Sequence, residues 1–391
     1  VTLDPDYEKK VLALEAHFSK HAKKSTASLG RENPISEDPF RTPFERDFHR
    51  VLHSLPFRRL KHKTQVFFSP KDDHICTRME HSLHVSSICA TICKRLDLNA
   101  TLAEAIALAH DLGHPPFGHL GEEAMARVHE KYNERHKGYE LPAFYHEAQS
   151  LRVIDYFRNS LHERLSLSFE VRDGVVCHWG EPKEKVLIPQ YKKDIKSVDV
   201  GAARKQHPAT IEGCVVRMAD TISYLGRDFE DACMARLIEP KLPESIEKVL
   251  GTNNSQIIGA LINDLVQQSA GLDHLRFSDR VYNAMTEMKD FNYKSIYRHP
   301  SLDSQRERIY LTLSELFNYF LDILEDTKKS DELKGGNHSN YFCAVFAEFL
   351  RDMQYNESNN KGQIASDFIT GMTDNFALNC FVELFTVQRV V

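Results

Sequence analysis

The sequence predicts an all-α protein in which strands are confined to short β-hairpin insertions. Three observations carry that expectation. Apolar residues recur at helical spacing along nearly the whole chain, Gly (17) and Pro (15) are sparse among 391 residues, and β-formers concentrate around a turn only in TQVFFSPKDDHICT at 64–77. Hydrophobic residues at 41% and charged residues at 27% fit a globular chain and exclude a disordered or collagen-like one. The length calls for more than one substructure.

Residues 7–24 read as a charged surface helix, and the polar, turn-rich 25–43 as a flexible arm, so that 1–40 forms an N-terminal helix and arm. A helix restarts at 44–61 and is interrupted near Pro56. From Glu80 to Leu96, Leu83, Ile88, Ile92 and Leu96 fall at helical intervals. The next helix, about 102–112, carries a capping-box spacing at Thr101 and Glu104 and a stop signal in Gly113, Pro115 and Pro116. Further helices are expected at 119–136, 147–161 and 163–178. Residues 181–209 carry three prolines and many lysines and read as an exposed basic insertion. A strongly apolar helix at 210–235 closes a core region spanning 41–235. Residues 236–391 continue as a helical region packing on that core, including IYLTLSELFNYFLDIL and QIASDFITGMTDNFALNCFVELF.

Lys+Arg (50) against Asp+Glu (56) leaves a net charge of −6, so the global field does not gather nucleic acid or anionic membrane. No apolar run reaches the roughly 18 residues of a membrane span. The charged N-terminus does not read as a secretory signal. Eight scattered cysteines without a CxxC pair argue against a disulfide framework and for buried free thiols, Cys89 and Cys93 included. A cytoplasmic protein is expected.

Histidine is unevenly spread. Nine of the 20 fall within 74–146, where an even distribution would place about four. His81 in RMEHSLHV, the adjacent His110 and Asp111 in ALAHDLGHPPFGH, and Asp220 in VVRMADTISYLGRD supply a mixed N/O donor set suited to Mn, Mg, Fe or Zn. Adjacent side chains diverge by about 100° on a helix, so His110 and Asp111 meet one ion only where the helix ends. Asp220, in so apolar a helix, needs a cation, with Arg217 the non-metal candidate. His114 lies four residues after His110. His119 and Glu122, three apart, form a candidate proton-transfer dyad, and His146-Glu147 a second such pair. Arg78 is placed for an anionic oxygen. Asp220, Tyr224 and Asp228 share one helical face, which suits a sugar. His74, His84, His129 and His136 read as surface or packing residues.

These residues resemble the H…HD…D signature of the HD-domain metal phosphohydrolases. RTPFERDFHRVLHSLPFRRLKHKTQVF, RMEHSLHVS, AHDLGHPPFGHLGEEA and VVRMADTISYLGRDFEDA are similar to the deoxyguanosinetriphosphate triphosphohydrolase branch, as are YRHP at 297–300 and ASDFITGMTDNFA at 365–377. The resemblance implies a multi-helix HD-domain fold and hydrolysis of a deoxynucleoside triphosphate (dNTP) to the deoxynucleoside and tripolyphosphate. It implies a divalent ion on His81, His110, Asp111 and Asp220, with His119, Glu122 and His114 catalytic and Arg78 and His146 near the phosphates. Gln65 and Asp228 then match residues that recognise the 3′-hydroxyl, and Tyr224 the ring that excludes a 2′-hydroxyl. Gly226 and Arg227 depart from the family pattern. The partners implied are the dNTP, an activating nucleotide and further copies of the chain. The alternatives are another HD-type nucleotidase, an alarmone hydrolase, or a nucleotide- or nucleic-acid-binding regulator. Only the basic 183–205 stretch with Arg58, Arg59 and Lys61 speaks for the regulator.

Overall fold

The computed structural model describes residues 3–36, 38–66, 74–157, 164–179, 184–198, 206–336, 340–353, 355 and 359–387. Among them seventeen α-helices follow in order: α1 (Pro5–Glu15), α2 (Pro43–Leu52), α3 (Leu55–Arg59), α4 (Arg78–Arg95), α5 (Ala100–Ala109), α6 (Gly118–Arg135), α7 (His146–Asp155), α8 (Phe169–Val176) and α9 (Ile211–Met234), then α10 (Glu244–Leu250), α11 (Asn254–Ser269), α12 (Asp279–Asn292), α13 (Pro300–Glu325), α14 (Thr327–Lys334), α15 (Tyr341–Met353), α16 (Lys361–Thr370) and α17 (Asp374–Phe385). The protein is all-α, as its sequence predicts. None of these helices is long and apolar enough to cross a membrane.

Local chemistry sets the ends of the central helices. Thr77 and Glu80 close a capping box at the start of α4, worth about 1 kcal/mol. Asn99, and not the expected Thr101, caps α5: its side chain accepts from the Leu102 amide, starting the helix two residues early. Thr210 caps α9 by accepting from Gly213. Apolar except for the half-buried Thr101 and Glu104 near its start, α5 is packed between α2, α4, α8 and α9. On α4 the core face is Val85, Ile88, Cys89, Ile92 and Cys93, whereas Leu83 is exposed. All eight cysteines are free, and seven are buried.

Two apolar clusters organise the chain. The first joins α2, α4, α5, α8 and α9 to α10–α12, and the second joins α6 to α13 and α15–α17. The packing therefore does not divide at 235/236: α10–α12 pack with the first cluster, and α6 packs against α13 in the second.

Several local expectations change. Helix α1 stops at Glu15. The segment after it is tied down where a flexible arm was expected: Ser28 Oγ and the Leu29 amide donate to buried Glu170 at 2.8 Å, and Arg31 pairs with Asp47. Two acceptors buried without these partners would each cost several kcal/mol. Helix α8 begins only at Phe169, after Ser168. The one named ribbon is not a hairpin, since β1 (Val186–Leu187) pairs antiparallel with the distant β2 (Leu275–Arg276). This anchors the described part of the basic stretch, where Leu187 is buried and Lys193 reaches buried Asp173 at 2.7 Å. Residues 180–183 and 199–205 of that stretch lie outside the described residues, as do 67–73 of the segment at 64–77, which a single bridge between Thr64 and Thr77 closes.

Candidate metal centre

The first apolar cluster brings the four expected ligands together. His81 projects from the first turn of α4, His110 and Asp111 follow the last residue of α5, and Asp220 lies mid-way along α9. His81 Nε2 is 2.9 Å from Asp220 Oδ1 and 3.9 Å from Asp111 Oδ2. His110 Nε2 is 3.3 Å from Asp111 Oδ1 and 4.0 Å from Asp220 Oδ1. The basic group beside Asp220 is thus the His81 imidazole, and among the described residues no ion pair joins Asp220 to Arg217. Because α5 ends at Ala109, the chain past it turns Asp111 back toward the ring of His110.

Hydrogen bonding selects the tautomers. His110 Nδ1 is 2.6 Å from the Ala107 carbonyl, which can only accept, so Nδ1 carries the proton and Nε2 presents its lone pair. That Nε2 is buried with no hydrogen-bond partner. His81 Nδ1 lies 3.2 Å from Ser223 Oγ, which in turn donates to the Asp220 carbonyl. Buried imidazole nitrogens fixed from behind and pointed at two carboxylates fit a divalent cation, which would satisfy the orphaned Nε2.

Electrostatics agree with that donor set. Burial opposes the Asp111 carboxylate, but His110, Arg78 and His114 hold its pKa well below the usual range. The same balance, set by His81, lowers Asp220. Burial lowers the His110 pKa, against the pull of Asp111 and Asp220, which favours the lone pair on Nε2.

The remaining site residues lie around this centre. Buried Arg78 gives Nη1 to Asp111 Oδ2 at 2.8 Å, bracing an expected ligand, and keeps a partnerless Nε. His114 Nε2 is 3.2 Å from Asp111 Oδ1, its Nδ1 is buried without a partner, and its ring stacks on His146 at 3.8 Å. His119 stands at the N-terminus of α6 and is open to water. Desolvation first, then the Arg78 charge, bias it toward the neutral form, and its solvent access limits the first effect. Glu122, whose charge also acts on His119, accepts from His146 Nδ1 at 2.9 Å and from its amide at 3.2 Å. Against the cost of burial, Glu122 and Glu147 lift His146 to about 9. Gln65 is buried with Oε1 unpartnered, Tyr224 is half-buried on α9, and Asp228 accepts from the Tyr297 hydroxyl while burial pushes its pKa up to about 7.

Four residues of the site region escaped the sequence reading. His178 follows α8, bonds Val175 O through Nδ1 and places Nε2 3.1 Å from His146 Nε2. Its signal was available: like His110, it ends an apolar helix and bonds the carbonyl three residues back. Tyr297 meets Asp228. Lys63 is fully buried and gives Nζ to the carbonyls of His114 and Thr370, and Asp374 accepts from the amides of Thr64 and Phe117 at 2.9 Å. Of the histidines without an expected role, His129 is buried between Pro142 O and Ser366 Oγ, and His136 stacks on Tyr132.

Fold and site together define an HD-domain phosphohydrolase. The HD domain family matches residues 78–225, and the phosphohydrolase-associated domain matches 275–383. A deoxyguanosinetriphosphate triphosphohydrolase-like protein of Caldanaerobacter subterraneus subsp. tengcongensis is 34% identical over 369 residues, covering 94% of this chain and 92% of that one. Proteins of the same name from Desulfatibacillum aliphaticivorans (34% identical, 94% of each chain) and Clostridium tetani (32% identical, 94% of this chain and 93% of that one) also match. The chain belongs to the deoxyguanosinetriphosphate triphosphohydrolase-like family of HD-domain phosphohydrolases.

Proposed function

We propose that the chain is a divalent-metal-dependent triphosphohydrolase that converts dGTP or another dNTP to the deoxynucleoside and inorganic tripolyphosphate. The observation that carries this reading is the convergence of His81, His110, Asp111 and Asp220 on one point, beside the water-accessible ring of His119. In this reading those four residues hold the ion, Mn, Mg or Fe, with Zn also suited to the donors. The ion, when bound, supplies Lewis-acid polarisation of the α-phosphate and its attacking water.

The chain's own groups do the rest. Arg78 fixes Asp111 in place. The neutral His119 takes a proton on a ring nitrogen from the attacking water and returns one to the departing 5′-oxygen. His146, held cationic by Glu122, faces the phosphate charge, and His114 offers Nδ1 as an acceptor. Gln65 Oε1 and Asp228 Oδ1, both buried without partners, are suited to receive the 3′-hydroxyl, and Tyr224 packs on the deoxyribose and excludes a 2′-hydroxyl. A homo-oligomer, an activating nucleotide and a cytoplasmic location complete the reading.

The test is a screen of the four dNTPs and four NTPs, singly and in pairs, with Mn or Mg and chromatographic resolution of the phosphate products. Tripolyphosphate from one or more dNTPs, abolished by EDTA, is expected. Release of monophosphate or pyrophosphate alone would overturn the reading, and turnover seen only in mixtures would identify an activator.

A further inference from the structure

We propose a second ligand site, for a nucleoside 5′-monophosphate, in the cavity on the side of α7 turned away from the metal centre. Its existence does not depend on which nucleotide the metal centre hydrolyses.

Helix α7 presents two faces. His146 and Ser150 lie on the side of the centre, where His146 meets Glu122 and His178 and Ser150 Oγ donates to the His110 carbonyl. Ala148, Arg152 and Asp155 fall on the opposite side of the helix. They line a cavity of about 580 Å³ together with Glu32, Arg164, Arg172 of α8 and Lys196. Ligand clefts run from roughly 300 to 1,000 Å³, so a mononucleotide fits.

Within the cavity Arg172 is buried and incompletely matched. Its Nε and Nη2 donate to Asp155 at 2.8 and 2.7 Å, Nη2 also reaches Glu32 at 2.6 Å, and Nη1 is buried without a partner. An empty donor on a buried guanidinium is costly, and Nη1 with Nη2 forms the end of the fork that takes a phosphate through two parallel bonds. Glu32 is exposed, so an arriving phosphate can displace it into water, take over Nη2 and fill Nη1, while Asp155 keeps the other edge. Arg164 and Lys196 supply the remaining charge, since among the described residues neither forms an ion pair. Arg152 does not compete, because Asp367 holds it at 2.7 and 2.6 Å. The charge left for a ligand matches a dianionic monoester and falls short of a triphosphate.

The rest of the wall suits a flat ring. Tyr145, Leu151 and Tyr156 give it an aromatic and apolar surface. Tyr156 is half exposed, and the guanidinium groups of Arg152 and Arg164 stand 5.0 and 5.9 Å from its ring centre, which holds the ring in place. Nucleobases stack on such side chains whatever their sequence. Inorganic phosphate would leave this wall bare, and a nucleoside would leave the guanidinium fork empty, so a ligand that uses the whole cavity carries both parts.

Isothermal titration calorimetry on the full chain, in EDTA so that the metal centre holds no ion, compares the four nucleoside 5′-monophosphates with inorganic phosphate and the parent nucleosides. At least one monophosphate should bind at about one per chain, and about 10-fold or more tighter than phosphate or its nucleoside. Arg164→Glu, at an exposed position, should weaken that binding about 10-fold or more, whereas Glu32→Gln, which removes the competing carboxylate, should tighten it about 3-fold. His119→Ala, altered at the metal centre, should bind as the wild type does. Thermal unfolding checks that each variant folds. No binding of any monophosphate at millimolar concentration, phosphate binding as tightly as the nucleotide, weaker binding by Glu32→Gln, or binding lost in His119→Ala and kept in Arg164→Glu would overturn the proposal. Because no turnover is measured, these outcomes leave the triphosphohydrolase reading to its own test.

Discussion

The two apolar clusters differ in what they contribute. The first, around α4, α5 and α9, supplies all four expected ion ligands from helices that touch one another. The second, around α6, α13 and α16, contributes His119 and Glu122 from the start of α6 and, through Asp374, a clamp on the loops bearing Gln65 and Phe117. The expected ion ligands therefore come from one packed unit, whereas the groups proposed to act on the substrate sit where two units meet. Damage to the first should abolish the ion. Damage to the second should leave the ion and spoil the alignment.

The largest expected effect lies in the first cluster. His110→Ala should cost more than about 100-fold in turnover, beyond the range for an outer-shell partner, and should lose bound metal while melting near the wild-type temperature. A variant that keeps its metal breaks the comparison. Next is Asp374→Ala, which leaves two buried amides and a hydroxyl without their charged acceptor and should destabilise by about 3 kcal/mol in urea unfolding. Metal content should be unchanged and KM raised, and loss of the ion would show that the two clusters do not divide their tasks.

A pH series sharpens the second cluster further. Burial holds His129 neutral, lowering its pKa to about 4 against an ordinary 6.5. Between those values the unfolded chain takes up a proton that the folded chain refuses, so stability is full above pH 6.5 and falls by about 3 kcal/mol on the way to pH 4. His129→Gln should flatten that part of the stability profile, and equal slopes for the two proteins would refute the assignment. The smallest effect is expected on the outer surface of α6, where the exposed Arg127 and Glu307 pair at 3.0 Å. Arg127→Ala should shift stability by less than about 1 kcal/mol.

The same division governs what could be read from the sequence. The expected ion ligands are legible because His81, His110, Asp111 and Asp220 are polar residues in or at the ends of helices, where periodicity and stop signals fix their positions. A neighbour in sequence misled once: Thr101 has the capping spacing but Asn99 holds the cap, while the bond from His146 to Glu122, 24 positions away, has no local pattern to announce it. Lys63 and Asp374 were out of reach for another reason. They bind mainly backbone groups, which every residue carries, and Asp374 lies 310 positions from Thr64. The second cluster's contributions are tertiary and leave no local pattern.

Lys63 has a consequence for how the protein can be cut. Its ammonium bridges the carbonyl of His114, beside the ion ligands, to that of Thr370, at the end of α16. All four expected ligands lie within 78–225, yet a fragment limited to that span would leave out both the lysine and its distant anchor. A fragment cut to the signature segment should therefore lose the tie that holds the loop after the ion ligands, and its thermal unfolding compared with that of the full chain checks this.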